Sequence, residues 1–152
     1  MLPCLFLQEN YQILNKMVDF VFLNLKIAIF ILSLYHTVTA IIAIFFTNFS
    51  TKFYEWMYGF HFRGNDQLLL SFKPWGTFAL FSGLIGFIFW WDPIKYQLLS
   101  YPFIILLLFR VSYRFILRKK IKVHFNTPLK RNYFNIALIL YFLLSIIGWL
   151  LV

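Results

Sequence analysis

Charge is what this sequence has least of. Only 12% of its 152 residues are charged and just five are acidic, whereas 62% are hydrophobic and 23% aromatic. Soluble domains run at about 25% charged and about 45–50% apolar, so the chain has too little polar surface to cover a water-exposed core. With a mean hydropathy of +0.78, a membrane is the expected solvent. The single cysteine, Cys4, excludes an internal disulfide, and without a CxxC pair there is no thiol redox motif or structural zinc site. No glycine-rich phosphate loop, nucleophile elbow or HExxH sequence occurs, so no catalytic residue and no metal ligand is expected. The acids Glu9, Asp19, Glu55, Asp66 and Asp92 all fall outside the long apolar runs. An ion-coupled transporter ordinarily places an acid in the membrane, and that class is disfavoured. The segment Met1 to Leu7 is apolar but short and has no basic flank; it is expected to stay on the mature chain, and it does not form the apolar stretch that lipidation of Cys4 would need.

What the chain has is long apolar runs. Residues 26–47, 73–91, 93–117 and 133–152 are each close to the roughly 20 residues that a helix needs to cross a hydrocarbon core of about 30 Å. Only helices or closed barrels satisfy the backbone in lipid, and these runs are too long for barrel strands. The expectation is an all-α, polytopic integral membrane four-helix bundle, preceded by an N-terminal interfacial segment over residues 1–25. Pro74 is expected in the first turn of the second span, Asp92-Pro93 as the cap and first residue of the third, and Pro102 as a kink within it. In the first loop, Phe53, Trp56, Met57 and Phe60 repeat at i, i+3, i+4 and i+7, which predicts a short interfacial helix.

The charges then read as topology. Lys16, Lys26 and Lys95 fall on the side of the termini, three in all, against nine in the first and last loops: Lys52, Arg63, Lys73, Arg118, Lys119, Lys120, Lys122, Lys130 and Arg131. The positive-inside rule puts the basic loops in the cytoplasm or matrix of a bacterial or organelle inner membrane, with both termini outside. Because the basic residues follow the membrane edge, no nucleic-acid partner is expected. Anionic lipid headgroups are expected instead.

Few polar residues remain. His36, about 15 Å along the first span from Lys26, shares a face with Ser33, Ala40, Ala43 and Thr47. It is expected to be a neutral imidazole hydrogen-bonded to a Ser, Thr or Tyr of a neighbouring helix, with a proton relay or ligand contact as the sharper reading. Bis-histidine haem is disfavoured, since His61 and His124 lie in loops, and no cofactor is expected beyond a bound lipid. Gly76, Ala79, Gly83 and Gly86, spaced three, four and three, form a smooth helix-packing face. Arg110 and Arg114 share a face with Ser100, Phe103 and Leu107. At about 26 and 32 Å along a helix started at Pro93 they approach the inner boundary, where snorkelling accounts for them and a lipid headgroup contact is the alternative. Glu55, His61, Arg63 and Asp66 are candidates for a polar loop cluster over the bundle.

Lys73-Pro74-Trp75-Gly76, Asp92-Pro93, Phe109-Arg110 with Arg114, and Lys130-Arg131-Asn132, in this order over residues 26–150, resemble the small four-span DoxX-like bacterial membrane proteins. The resemblance implies the four-helix fold and transfers no functional residue. Two functions follow as expectations. The first is a non-catalytic accessory or structural subunit of a larger membrane complex, which uses the glycine face against other membrane-protein subunits. The second is a free-standing binder or carrier of a lipid, quinone or other apolar molecule, with His36 and Arg110 as polar anchors.

Overall fold

The computed structural model describes residues 2–59 and 66–152, and every regular element among them is helical. Six α-helices follow one another: α1 (Leu2–Phe45), α2 (Thr47–Tyr58), α3 (Asp66–Trp91), α4 (Ser100–Ile116), α5 (Arg118–Phe125) and α6 (Leu129–Leu150), with a single 3-10 turn, Gln97–Leu99, ahead of α4. Four stretches are long and apolar enough to cross a membrane: Leu14–Phe45, Lys73–Trp91, Gln97–Ile116 and Leu129–Leu150.

Between Pro3 and Gly59 the chain contains neither proline nor glycine, so nothing interrupts α1. Its 44 residues extend about 66 Å at 1.5 Å each, and no break marks the expected boundary between residues 25 and 26. Phe46, at φ −121° and ψ 53°, turns the chain into α2, the short helix expected in the first loop. Gly59 closes α2 in the left-handed region at φ 68°, its N–H bonded to the Glu55 carbonyl, a conformation that only glycine adopts without strain.

Three local expectations are corrected. Helix α3 starts at Asp66, so Pro74 lies in its interior and not in a first turn. Asp92 does not cap a helix at Pro93. Its Oδ1 accepts the Lys95 N–H at 3.0 Å and its carbonyl accepts the Tyr96 N–H at 3.1 Å, a local turn of the kind Asp favours. The chain passes through Gln97–Leu99 before α4 begins at Ser100. Pro102 consequently falls in the first turn of α4, where a missing N–H is tolerated, and is no kink.

The long helices pack antiparallel. Gly76 of α3 lies on Ala40, Ala43 and Ile44 of α1, while Gly86 lies on Ser33, so residue number rises along one helix as it falls along the other. Asn24 of α1 donates to Ser145 Oγ of α6 at 3.0 Å and accepts from Tyr141 OH at 2.8 Å. One end of the assembly is filled. Phe89 stacks on Phe103 at 6.3 Å and meets Trp149 edge-on at 5.8 Å, above buried Leu25, Ala28, Ile29 and Ile146. At the opposite end, α2 and the connection from α5 to α6 are tied together: Thr127 Oγ1 donates to the Gly59 carbonyl at 3.0 Å. The two basic loops therefore sit at the same end.

Candidate functional site

At that basic end lies a cavity of about 740 Å³, within the few hundred to about 1,000 Å³ usual for small-molecule sites. Leu32 and Tyr35 of α1 form one wall, and Met57 and Tyr58 of α2 cover it. Leu107 of α4 and Phe142 of α6 belong both to the cavity wall and to the core cluster, so the cavity floor is apolar. Ile121, the one buried residue of the basic helix α5, closes the side.

Into this apolar space project Arg110 and Arg114 of α4 and Arg131 of α6. Their positions follow from the face they occupy. Ser100, Phe103, Leu107 and Arg114 are the buried residues of α4, spaced three, four and seven along one stripe that faces α6. Arg114 therefore points inward. This corrects the snorkelling expectation: depth brings Arg114 near the end of the span, but the stripe it shares with Ser100, Phe103 and Leu107 is the buried one and turns it into the bundle. Its Nη1 donates to Asn132 Oδ1 at 3.0 Å, Asn132 Nδ2 returns a bond to the Arg114 carbonyl at 3.3 Å, and the guanidinium lies 5.1 Å over the Tyr58 ring. Arg110, one turn earlier, is half-buried and makes neither a hydrogen bond nor an ion pair among the described residues. Burial holds the Tyr58 and Tyr54 hydroxyls above the usual phenol range, with the positive charge of Arg110 opposing the shift at both and that of Arg114 at Tyr58. Both phenols stay neutral and do not offset the guanidinium charge.

Asn135 also lines the cavity, 7% exposed, and its Nδ2 has no hydrogen-bond partner among the described residues. Neither Asn132 nor Asn135 stood out in the sequence as a site residue. The available signal was two asparagines three apart, the second carried past Lys130 and Arg131 into the apolar part of the helix, where a polar group needs a reason to be.

His36 is brought to the same region only in part. It is 1% exposed, and the Arg110 charge is within electrostatic reach of it, yet it does not line the cavity. The expected hydroxyl partner on a neighbouring helix is absent among the described residues: Nδ1 donates to the Leu32 carbonyl of its own helix at 2.9 Å, and Nε2 is buried without a partner. Gly76, Gly83 and Gly86 press against α1, and Ala79 lies half-buried on the same helix. Of the expected loop cluster, Glu55 is half-buried in α2, His61 and Arg63 lie outside the described residues, and Asp66 begins α3 with its side chain outside the description. No group of three or more metal-ligating side chains occurs among the described residues.

No protein-family model matches this chain, and no curated protein and no solved structure matches it either.

Proposed function

We propose that this chain is a polytopic integral membrane protein, a four-helix bundle that binds an amphipathic or apolar small molecule of the lipid or quinone type in the cavity at its basic end. The observation that carries the reading is the cavity itself: about 740 Å³, apolar in its floor, bounded by guanidinium groups, and set beside the two basic loops. By the positive-inside rule those loops face the cytoplasm or matrix, which puts the cavity at the inner leaflet. The accessory-subunit reading relied on the glycine face as a docking surface for other subunits. That face is occupied by α1 of the same chain, with Gly83 against Thr37 and Ser33 and Gly86 against Ser33, so its best structural support is used up internally.

The test is extraction in a mild detergent, native electrophoresis, and mass spectrometry of the bound small molecules. The binder reading expects a small particle that carries a stoichiometric amphiphile. Ile139→Trp, which adds bulk to the cavity wall, is expected to expel that molecule while the helical circular dichroism is retained. Migration in a large hetero-assembly with an empty cavity would favour the subunit reading and sink this one.

A further inference from the structure

The cavity's polar inventory is one-sided. Arg110, Arg131 and the Asn135 amide all present hydrogen-bond donors, and the lining includes no Asp or Glu among the described residues. Arg114 is engaged by Asn132 and Tyr58. Arg110 and Arg131 make no side-chain hydrogen bond or ion pair among the described residues, and Asn135 Nδ2 is buried with its donors unmet. A buried or half-buried charge without a counter-charge is costly, and a buried donor without an acceptor costs about 1–3 kcal/mol. The site is therefore complementary to a group that brings negative charge and several acceptor oxygens together. A guanidinium suits a carboxylate or phosphate in geometry as well as charge. A neutral quinone carbonyl supplies an acceptor but leaves the charge uncompensated, and a zwitterionic headgroup brings its own cation into a space already positive.

We propose that the occupant is an acyl-chain amphiphile with an anionic headgroup, a phosphodiester or a carboxylate, held by Arg110 and Arg131 with the Asn135 amide, its chain lying over Leu107 and Phe142. This rests on the binder reading above and narrows it to one charge class. Arg114 positions the mouth, since its bonds to Asn132 fix α4 against α6, while Arg110 and Arg131 remain available to the ligand.

Delipidated protein in maltoside detergent is titrated separately with dioleoyl phosphatidylglycerol, dioleoyl phosphatidylcholine, oleate and inorganic phosphate, and bound adducts are counted by native mass spectrometry. Phosphatidylglycerol, oleate or both are expected to be retained at least about tenfold more strongly than phosphatidylcholine, the ratio that one charge-assisted hydrogen bond supplies. Which of the two binds separates a phosphodiester from a carboxylate site. Arg110→Gln is expected to erase that preference while keeping the helicity of the parent and a thermal midpoint at or above it, since an uncompensated charge is removed, and Arg131→Gln to reduce the preference independently. Equal retention of phosphatidylcholine, or an unchanged preference in both variants, overturns the anionic assignment; if Ile139→Trp still expels the lipid, the binder reading survives it. Retention of inorganic phosphate with exclusion of both anionic amphiphiles overturns the acyl-chain part. If no lipid is retained by the parent protein, both readings fall together.

Discussion

Substituting Gly83 by alanine tests the interface that organises the whole assembly. A Cβ at Gly83 would stand 3.0 Å from the Ser33 carbonyl oxygen and 3.0 Å from the Thr37 backbone nitrogen, and closer still to Thr37 Oγ1. Two of these three atoms are backbone of α1 and cannot rotate away, so the helices must separate. Overpacking of a tight core costs about 1–3 kcal/mol, and the backbone contacts place Gly83→Ala in the upper part of that range. Gly148 of α6 is the internal control, because a Cβ there meets nothing within 4 Å. Gly148→Ala removes a flexible residue from a helix and is expected to be neutral or to stabilise by up to about 1 kcal/mol. Gly86 adds a second comparison, since the atom nearest to its added Cβ is the Ser33 side-chain oxygen. Ser33→Ala is therefore expected to rescue much of Gly86→Ala, while Thr37→Ala rescues Gly83→Ala only in part, because the backbone contacts persist. Equilibrium unfolding in mixed micelles, followed by circular dichroism, reads all of these. A Gly83→Ala protein within about 0.5 kcal/mol of the parent, or as stable as Gly148→Ala, would refute the close approach of α1 and α3.

The other expectations concern the basic end. Asn132→Ala removes both bonds to Arg114 and should cost about 1.5–3 kcal/mol, the range for a hydrogen bond to a charged group, in the same unfolding assay; a loss under 0.5 kcal/mol would show that the pair is not formed. His36→Leu should be neutral or stabilising, because the Leu32 carbonyl keeps its backbone partner and an unpaired buried Nε2 is removed; a marked loss of stability would reveal a partner for that nitrogen. The Tyr58 phenol titrates above its unfolded value of 10.0 because burial disfavours the phenolate, so its contribution to stability is complete below about pH 10 and is lost as pH rises through the higher folded value. Tyr58→Phe should accordingly lose less stability than the parent between pH 9 and pH 11, and identical losses would contradict the burial. Single cysteines in a Cys4→Ser background at Lys119 and Lys95 should react with an impermeant maleimide from opposite sides of sealed vesicles, Lys119→Cys from the inner side; labelling from one common side would refute the proposed topology.

How much of this was legible beforehand depended on whether a residue's environment follows from its own helix. The apolar runs and the glycine spacing did, because length and periodicity are properties of one segment, and α1 through α6 contain the four runs with ends shifted by local chemistry at Pro74, Asp92 and Pro102. The direction of Arg114 is legible too. The stripe through Ser100, Phe103 and Leu107 gave its direction, and that direction decides whether an arginine near the membrane boundary reaches out or folds in. The cavity was not legible. It depends on Tyr58, Arg110 and Asn135, from α2, α4 and α6, meeting at one end, and no single-helix pattern encodes that meeting. His36 failed for a related reason: the sequence offered hydroxyls on other helices, but the nearest acceptor was the carbonyl one turn back.

The scarcity of acids gives these pieces a common logic. In a soluble protein an excess of nine positive charges would be offset by solvent and counter-ions at little structural consequence. Here most of the cations fall on or beside the two loops at one end of the helices, and Arg110, Arg114 and Arg131 line the apolar cavity. No acid lines that cavity among the described residues, and burial further disfavours the phenolate form of the two tyrosines beside it. Arg114 donates to a neutral amide and lies over an aromatic face. The local positive potential is then a property of the fold, and it grows with the desolvation that the apolar walls impose. An acid placed at the cavity wall, as in Asn135→Asp, supplies internally the charge that an anionic amphiphile would otherwise bring. It should raise the stability of the empty protein and lower its affinity for anionic lipid in the same step. Opposed changes of that kind, measured by unfolding and by native mass spectrometry, distinguish a site built for an anion from a cluster of cations that merely tolerates its surroundings; Asn135→Asp binding anionic lipid as well as the parent does would deny the distinction.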